Sequence, residues 1–155
     1  MTINDKMRAA VKNVPAITDF FYSDPDKILS NETVGDAPLF RLLRAGDRMS
    51  ASNIGRNYDQ NEVLMFTKVM ERTPQGDDEE AAENELIINA FNFLAALEAQ
   101  GVEFTVTANP RWGRRDASRY ALGLIVEITI DKAFLTVGDC VTGYYLPDKL
   151  NDQQC

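Results

Sequence analysis

The sequence runs to 155 residues, of which 45% are hydrophobic and 26% charged, the balance of a globular protein rather than a disordered or fibrous one. It contains no His, which excludes Ser-His-Asp and Cys-His catalysis and every His-ligated metal site, and two Cys are too few for a structural zinc site or a disulfide framework. Lys and Arg number 16 against 24 Asp and Glu, and the net charge of −8 has the wrong sign for a free-standing nucleic-acid binder.

Residues 1–12 mix Asp5, Lys6, Arg8 and Lys12 with small residues and hold no apolar core of signal-peptide length. The longest apolar run, residues 122–126, is far short of the ~20 residues that span a bilayer. A soluble chain made in a reducing cytosol is therefore expected, with no membrane partner. Cys140 and Cys155 are expected to be free thiols without a role.

Residues 4–13 read as a short helix, because Met7, Ala10 and Val11 fall at i, i+3, i+4; Pro15 stops it. Residues 16–22 are strand-like, with Ile17, Phe20, Phe21 and Tyr22. Ser23-Asp24-Pro25-Asp26 signals a turn or helix start, after which Ile28 and Leu29 anchor a single helical turn. Residues 38–44 form a short strand led by Pro38, which suits a strand start or an edge. Residues 45–61 read as a long polar connection, with room for a short strand around 48–52.

Residues 62–72 read as a strand that is apolar on both faces and therefore central. Residues 77–100 form a long helix. Asp77, Asp78, Glu79, Glu80, Glu83 and Glu85 crowd its first turns, where carboxylates oppose the positive end of the helix dipole. Ile87, Ala90, Phe91, Leu94 and Leu97 are its expected core stripe, and Gly101 its left-handed cap. Residues 102–108 alternate, with Val102, Phe104 and Val106 on the buried face, and residues 109–118 read as a loop. Residues 119–132 form a long strand with Tyr120, Leu122, Leu124, Val126, Ile128 and Ile130 on one face. On the other face Ala121 and Gly123 leave room for a close neighbour.

The order α-β-β-β-α-β-β predicts an α+β fold: a mainly antiparallel sheet packed on one face by the long helix, with an extended C-terminal arm. Residues 1–132 make the single domain. Residues 133–155, with Phe134, Leu135, Val137, Tyr144, Tyr145 and Leu146 scattered among Gly, Asp and Pro, read as an arm docked on a neighbour.

The chemistry-bearing inventory is thin. The acidic run 77–85 lacks the Asp-x-Asp-x-Asp-Gly spacing of a calcium loop and reads as helix-start stabilisation. Gly55, Gly76 and Gly113 make no phosphate loop. Glu127 follows Ile125 on the less apolar face of its strand, and a cross-strand Lys such as Lys68 would pair with it. The basic cluster Arg111, Trp112, Gly113, Arg114, Arg115, with Arg119 beyond, carries the residue types that dominate binding hot spots. It reads as a nucleic-acid loop, a protein-interface loop facing carboxylates such as the 77–85 run of an identical neighbour, or a solvated hairpin tip. The acidic chain favours protein contact.

The stretch from Asp36 to Lys132 resembles the small virion proteins of tailed bacteriophages that sit at the tail terminator, tail completion or neck (head-tail connector) position. The resemblance lies in the order of elements. Asp19-Phe20-Phe21-Tyr22 leads into a loop and the Pro-led strand Pro38-Leu39-Phe40-Arg41-Leu42-Leu43. The strand 63–70 then runs into the helix start Glu83-Asn84-Glu85-Leu86-Ile87, and the strand 120–130 closes a hairpin. The resemblance implies a small α/β domain assembled into a homomeric ring around a DNA channel. It implies no catalytic residue and no cofactor. Expected partners are copies of the chain and adjacent neck or tail proteins, with at most non-specific DNA passage. The site of action is the virion, after synthesis in host cytoplasm. Arg111, Trp112, Arg114, Arg115 and Arg119, with Tyr144, Tyr145 and Leu146, become contacts to ring neighbours. The extended tail after Lys132 departs from the family pattern. The rival reading is a small α+β ligand-binding or enzymatic domain using Arg and carboxylates, which requires a deep pocket holding Arg114 or Arg115 beside a buried carboxylate.

Overall fold

The computed structural model of the chain describes residues 2–29, 33–43, 60–70, 76–116 and 119–130. In chain order the elements are α1 (Ile3–Lys12), β1 (Asp19–Tyr22), α2 (Pro25–Leu29), β2 (Pro38–Arg41), β3 (Gln60–Met70), α3 (Gly76–Ala99), β4 (Phe104–Val106), β5 (Arg111–Asp116) and β6 (Tyr120–Ile130). The mixed α and β content and the long helix against a mostly antiparallel sheet match the α+β expectation. Most of the 45–61 connection and all of the 133–155 arm, including Tyr144, Tyr145 and Leu146, lie outside the described residues.

The sheet is six-stranded, in the order β1-β2-β3-β6-β4, with β5 also paired to β6. Only β1 and β2 run parallel. The middle is the pairing of β3 with β6, unbroken from Gln60 opposite Ile130 to Met70 opposite Tyr120. Side chains alternate across a strand, so this register sorts them by parity. Leu64 and Phe66 of β3 join Leu122, Leu124, Val126, Ile128 and Ile130 of β6 on one face, under α1 and α3. Met65 and Val69 join Ala121 on the other, with Phe40 and with Leu29 of α2. A Cβ on Gly123 would lie 2.9 Å from Met65 Cγ, so the absent side chain is what admits the methionine.

Helix α3 buries Ala82, Leu86, Ala90, Phe93 and Leu97. The ring of Phe93 meets Phe66 edge-on, with centroids 5.6 Å apart. This corrects the stripe read from the sequence: Phe93, not Phe91, enters the core. Apolar residues surround this helix, and a periodic pattern that fills more than one face does not reveal its phase. The helix ends as expected at Gly101, at φ 79°. Its last turn carries no basic residue, and Lys6 of α1 instead donates to the Gln100 carbonyl at 2.7 Å, placing a cation at the negative end of the dipole.

At the start of α1, Thr2 and Asp5 form a reciprocal capping box: the Asp5 N–H donates to the Thr2 hydroxyl, and the Thr2 N–H to the Asp5 carboxylate at 2.8 Å. The backbone hydrogen bond from Thr2, seconded by its hydroxyl, holds the Asp5 carboxyl below its ordinary range. A lowered carboxyl stabilises the fold above its unfolded pKa, and that contribution is lost as pH falls through the folded value.

Within the core, Arg41 and Glu62 form a buried pair that no sequence pattern announces. Arg41 donates from Nε and Nη2 to both oxygens of Glu62, at 2.7 and 2.6 Å, and from Nη1 to the Asn4 side chain at 2.7 Å. The Tyr22 ring lies 4.1 Å from the guanidinium carbon. Glu62 is completely buried. The guanidinium fork is thus met by carboxylate, amide and aromatic face, and it ties α1, β1, β2 and β3 together at one end of the sheet.

Two outcomes follow for stability. Glu62→Ala strands a buried cation and should cost about 3–5 kcal/mol in urea unfolding, while the double change Arg41→Met with Glu62→Leu should recover most of that loss. Asp5→Asn should lower stability near neutrality, where the carboxylate's contribution is fully present, and converge with the parent in acid below the ordinary carboxylate range, as followed by circular dichroism across pH.

Candidate functional site

The segment 109–118, expected to be a loop, contains strand β5. It pairs with β6 from Arg111 opposite Ile125 to Asp116 opposite Tyr120. Its composition hid it: an edge strand carrying Arg on both faces has no apolar alternation to reveal it. β4 pairs with the far half of the same edge of β6, Val106 opposite Ile128. Between the two, residues 107–110 stand against only Val126 and Glu127, so β4 and β5 are one edge strand interrupted by a bulge. Thr107 bridges the interruption, its N–H donating to the Glu127 carbonyl at 3.0 Å.

The arginines of this edge act as braces within the chain. Arg114, on the α3 side, pairs with Glu79 in the acidic first turn of that helix. Arg115, on the opposite side, reaches Asp26 of α2 at 2.6 Å. Arg111 pairs with Glu127 at 2.6 Å. Arg119 contacts Asp36 at 3.5 Å and donates to the Val34 carbonyl at 3.2 Å. The expected partner of Glu127, Lys68, is on the wrong face of the sheet, and it pairs instead with Glu85 at 3.1 Å. Two members of the acidic run, Glu79 and Glu85, thus meet cations of their own chain; Asp77, Asp78 and Glu80 are exposed, and Glu83 is half-buried. The side chains of Arg114 and Arg115 are 61% and 33% exposed, at the surface rather than in a deep pocket. Each such pair contributes little to stability by itself.

Trp112 has a different fate. It stands opposite Leu124 and so faces α3. There the helix and the edge strand diverge, leaving an apolar groove of about 380 Å³. Phe91, Ile87 and Leu94 form its helical wall, Val106, Pro110 and Trp112 its edge wall, and Leu124 and Val126 its floor. Phe91 is 70% exposed and Trp112 41%. Isolated apolar residues at a surface are ordinary, but Ile87, Phe91, Val106 and Trp112 are all exposed around one hollow, which is the mark of a binding surface. Trp112 belonged to the predicted site. Of the expected core stripe, Ile87 and Phe91 are exposed in the groove wall while Leu94 packs half-buried against the core, and the clue in the sequence is the excess of apolar residues around α3.

A second hollow, of about 440 Å³, lies at Asn61, Glu62, Val63, Thr107 and Glu127. Its two carboxylates are already engaged, by Arg41 and Arg111. Among the described residues no cluster of three or more Cys, Asp or Glu is arranged to hold a metal ion, and no helix is long and apolar enough to cross a membrane. No family model and no curated protein matches the chain.

The division of α3 into a core face and a groove face is directly measurable. Phe93→Ala should lower stability by about 3–5 kcal/mol. Phe91→Ala should stay within about 0.5 kcal/mol of the parent in urea unfolding at low protein concentration. Comparable losses for the two would contradict the groove.

Proposed function

We propose that this chain is a virion structural subunit that forms a homomeric ring at the neck or tail of a tailed bacteriophage and acts in head-tail joining or tail completion. The observation that carries the reading is the apolar groove around Trp112, set against a sheet edge to which no other described strand is paired. Burying such a surface on another protein is favourable in proportion to the apolar area removed from water, and Trp at the centre of a patch is the commonest anchor. The resemblance in element order supplies the virion context.

The electrostatics support a protein partner over a nucleic acid. Arg111, Arg114, Arg115 and Arg119 each meet a carboxylate of the same chain, and the net charge is −8. DNA passing through a ring of such subunits would be repelled rather than gripped. Rings form when two different patches of one subunit are complementary and the rotation closes. The groove edge is one patch, and the sheet's opposite border, at β1, offers a second.

Size-exclusion chromatography with light scattering tests the assembly. The expected mass is a fixed multiple of 17.3 kDa, and negative-stain images should show closed annuli. Trp112→Asp should weaken association by about tenfold or more without unfolding the subunit. A strict monomer at high concentration, unchanged by neck or tail proteins, would overturn the proposal.

A further inference from the structure

We infer that the groove beside Trp112 receives the segment Val141-Thr142-Gly143-Tyr144-Tyr145-Leu146 of a neighbouring copy, laid down along the outer edge of β5. The inference rests on the ring reading and names the partner of that same surface.

Three observations converge on this occupant. The first is the edge itself. No described strand pairs with the outer side of β4 and β5, so their backbone groups on that side are available to an added strand. An extended segment placed there sends alternate side chains to opposite faces, and those on the α3 face rise beside Trp112 at the rim of the groove.

The second is chemical fit. The groove is walled almost entirely by aliphatic and aromatic carbon, so it selects an uncharged apolar segment. Residues 141–146 are uncharged and rich in β-branched and aromatic types, and Pro147 ends the run where further pairing would need an N–H. Tyrosine suits such a seat, since its ring fills the groove while its hydroxyl stays at the rim.

The third is reach. Ile130 is paired with Phe104 at the end of the sheet, and the groove floor at Leu124 is about 20 Å back along β6. Tyr144 stands about 45–50 Å of extended chain beyond Ile130. That contour is more than twice the distance to the groove of the same subunit, so the tether does not confine the tyrosines to their own chain. In a ring each subunit then gives one segment and receives one, a head-to-tail contact that closes on itself.

A two-population cross-link tests this with full-length chains. One population, affinity-tagged, carries Ile88→Cys, Cys140→Ser and Cys155→Ser, so that its thiol sits on the exposed α3 surface beside an intact groove. The other is the native chain, with Cys140 just ahead of the docking segment. After mixing, a short bismaleimide should join tagged to untagged chains. Tyr144→Asp with Tyr145→Asp in the native chain should cut the yield about tenfold or more, with far-ultraviolet circular dichroism unchanged. Rings seen by light scattering with no cross-chain product would overturn this inference and leave the ring standing. A product confined to single chains, when Ile88→Cys is placed in a chain retaining Cys140, would show self-docking and overturn it too. Monomers at every concentration would remove both.

Discussion

The antiparallel ladder between β3 and β6 pairs every residue from Gln60 to Met70 with one from Tyr120 to Ile130. Its register is the constraint on which the remaining architecture depends. A shift of one residue would exchange the two faces of both strands, exposing Leu64, Phe66, Leu122 and Leu124 and forcing Lys68 and Glu62 to the opposite side. The fit of Met65 against Gly123 holds the register from one face, and the Phe66–Phe93 contact holds it from the other. Parity along β6 then propagates outward to β5. Trp112 and Arg114 must face α3, while Arg111 and Arg115 must face away. The groove and the braces around it are consequences of that one alignment.

This hierarchy explains which parts of the molecule were legible in the sequence. The strand 120–130 declared itself because its two faces differ in size and polarity, and the room left at Ala121 and Gly123 is where Met65 packs. The long helix declared itself through its acidic start and Gly101. Its rotation did not: Leu86, Ile87, Ile88, Phe91, Phe93 and Leu94 fit more than one stripe, and only the packed sheet decides between them. Strand β5 was hidden for the opposite reason. Its side chains are held by ion pairs to α2, α3 and β6, so no alternation of apolar residues is required. The Arg41–Glu62 pair was equally invisible, since bringing those residues together requires the β2–β3 register.

The surface chemistry separates into two kinds. The guanidinium groups that look like a binding cluster in the sequence are spent on holding the β5 edge to the elements above and below it. That arrangement leaves recognition to carbon surface, with Phe91 and Trp112 held at fixed positions by a helix and a strand rather than by loops. A rigid, preorganised apolar seat loses little conformational entropy on contact. The ion pairs of Arg111, Arg114 and Arg115 tie the neighbouring strand to β6, α3 and α2 and stay outside the groove's apolar lining.

The interruption at residues 107–110 has a further consequence. Extended borders of β-sheets invite indiscriminate stacking with any exposed strand, the route to fibrous aggregates. Here β4 and β5 follow β6 in two registers, separated by a bulge that contains Pro110. A straight foreign strand can match one half or the other, never the whole length. In the ring proposed above, that interruption would let many copies of this chain sit side by side without their sheet edges stacking at random.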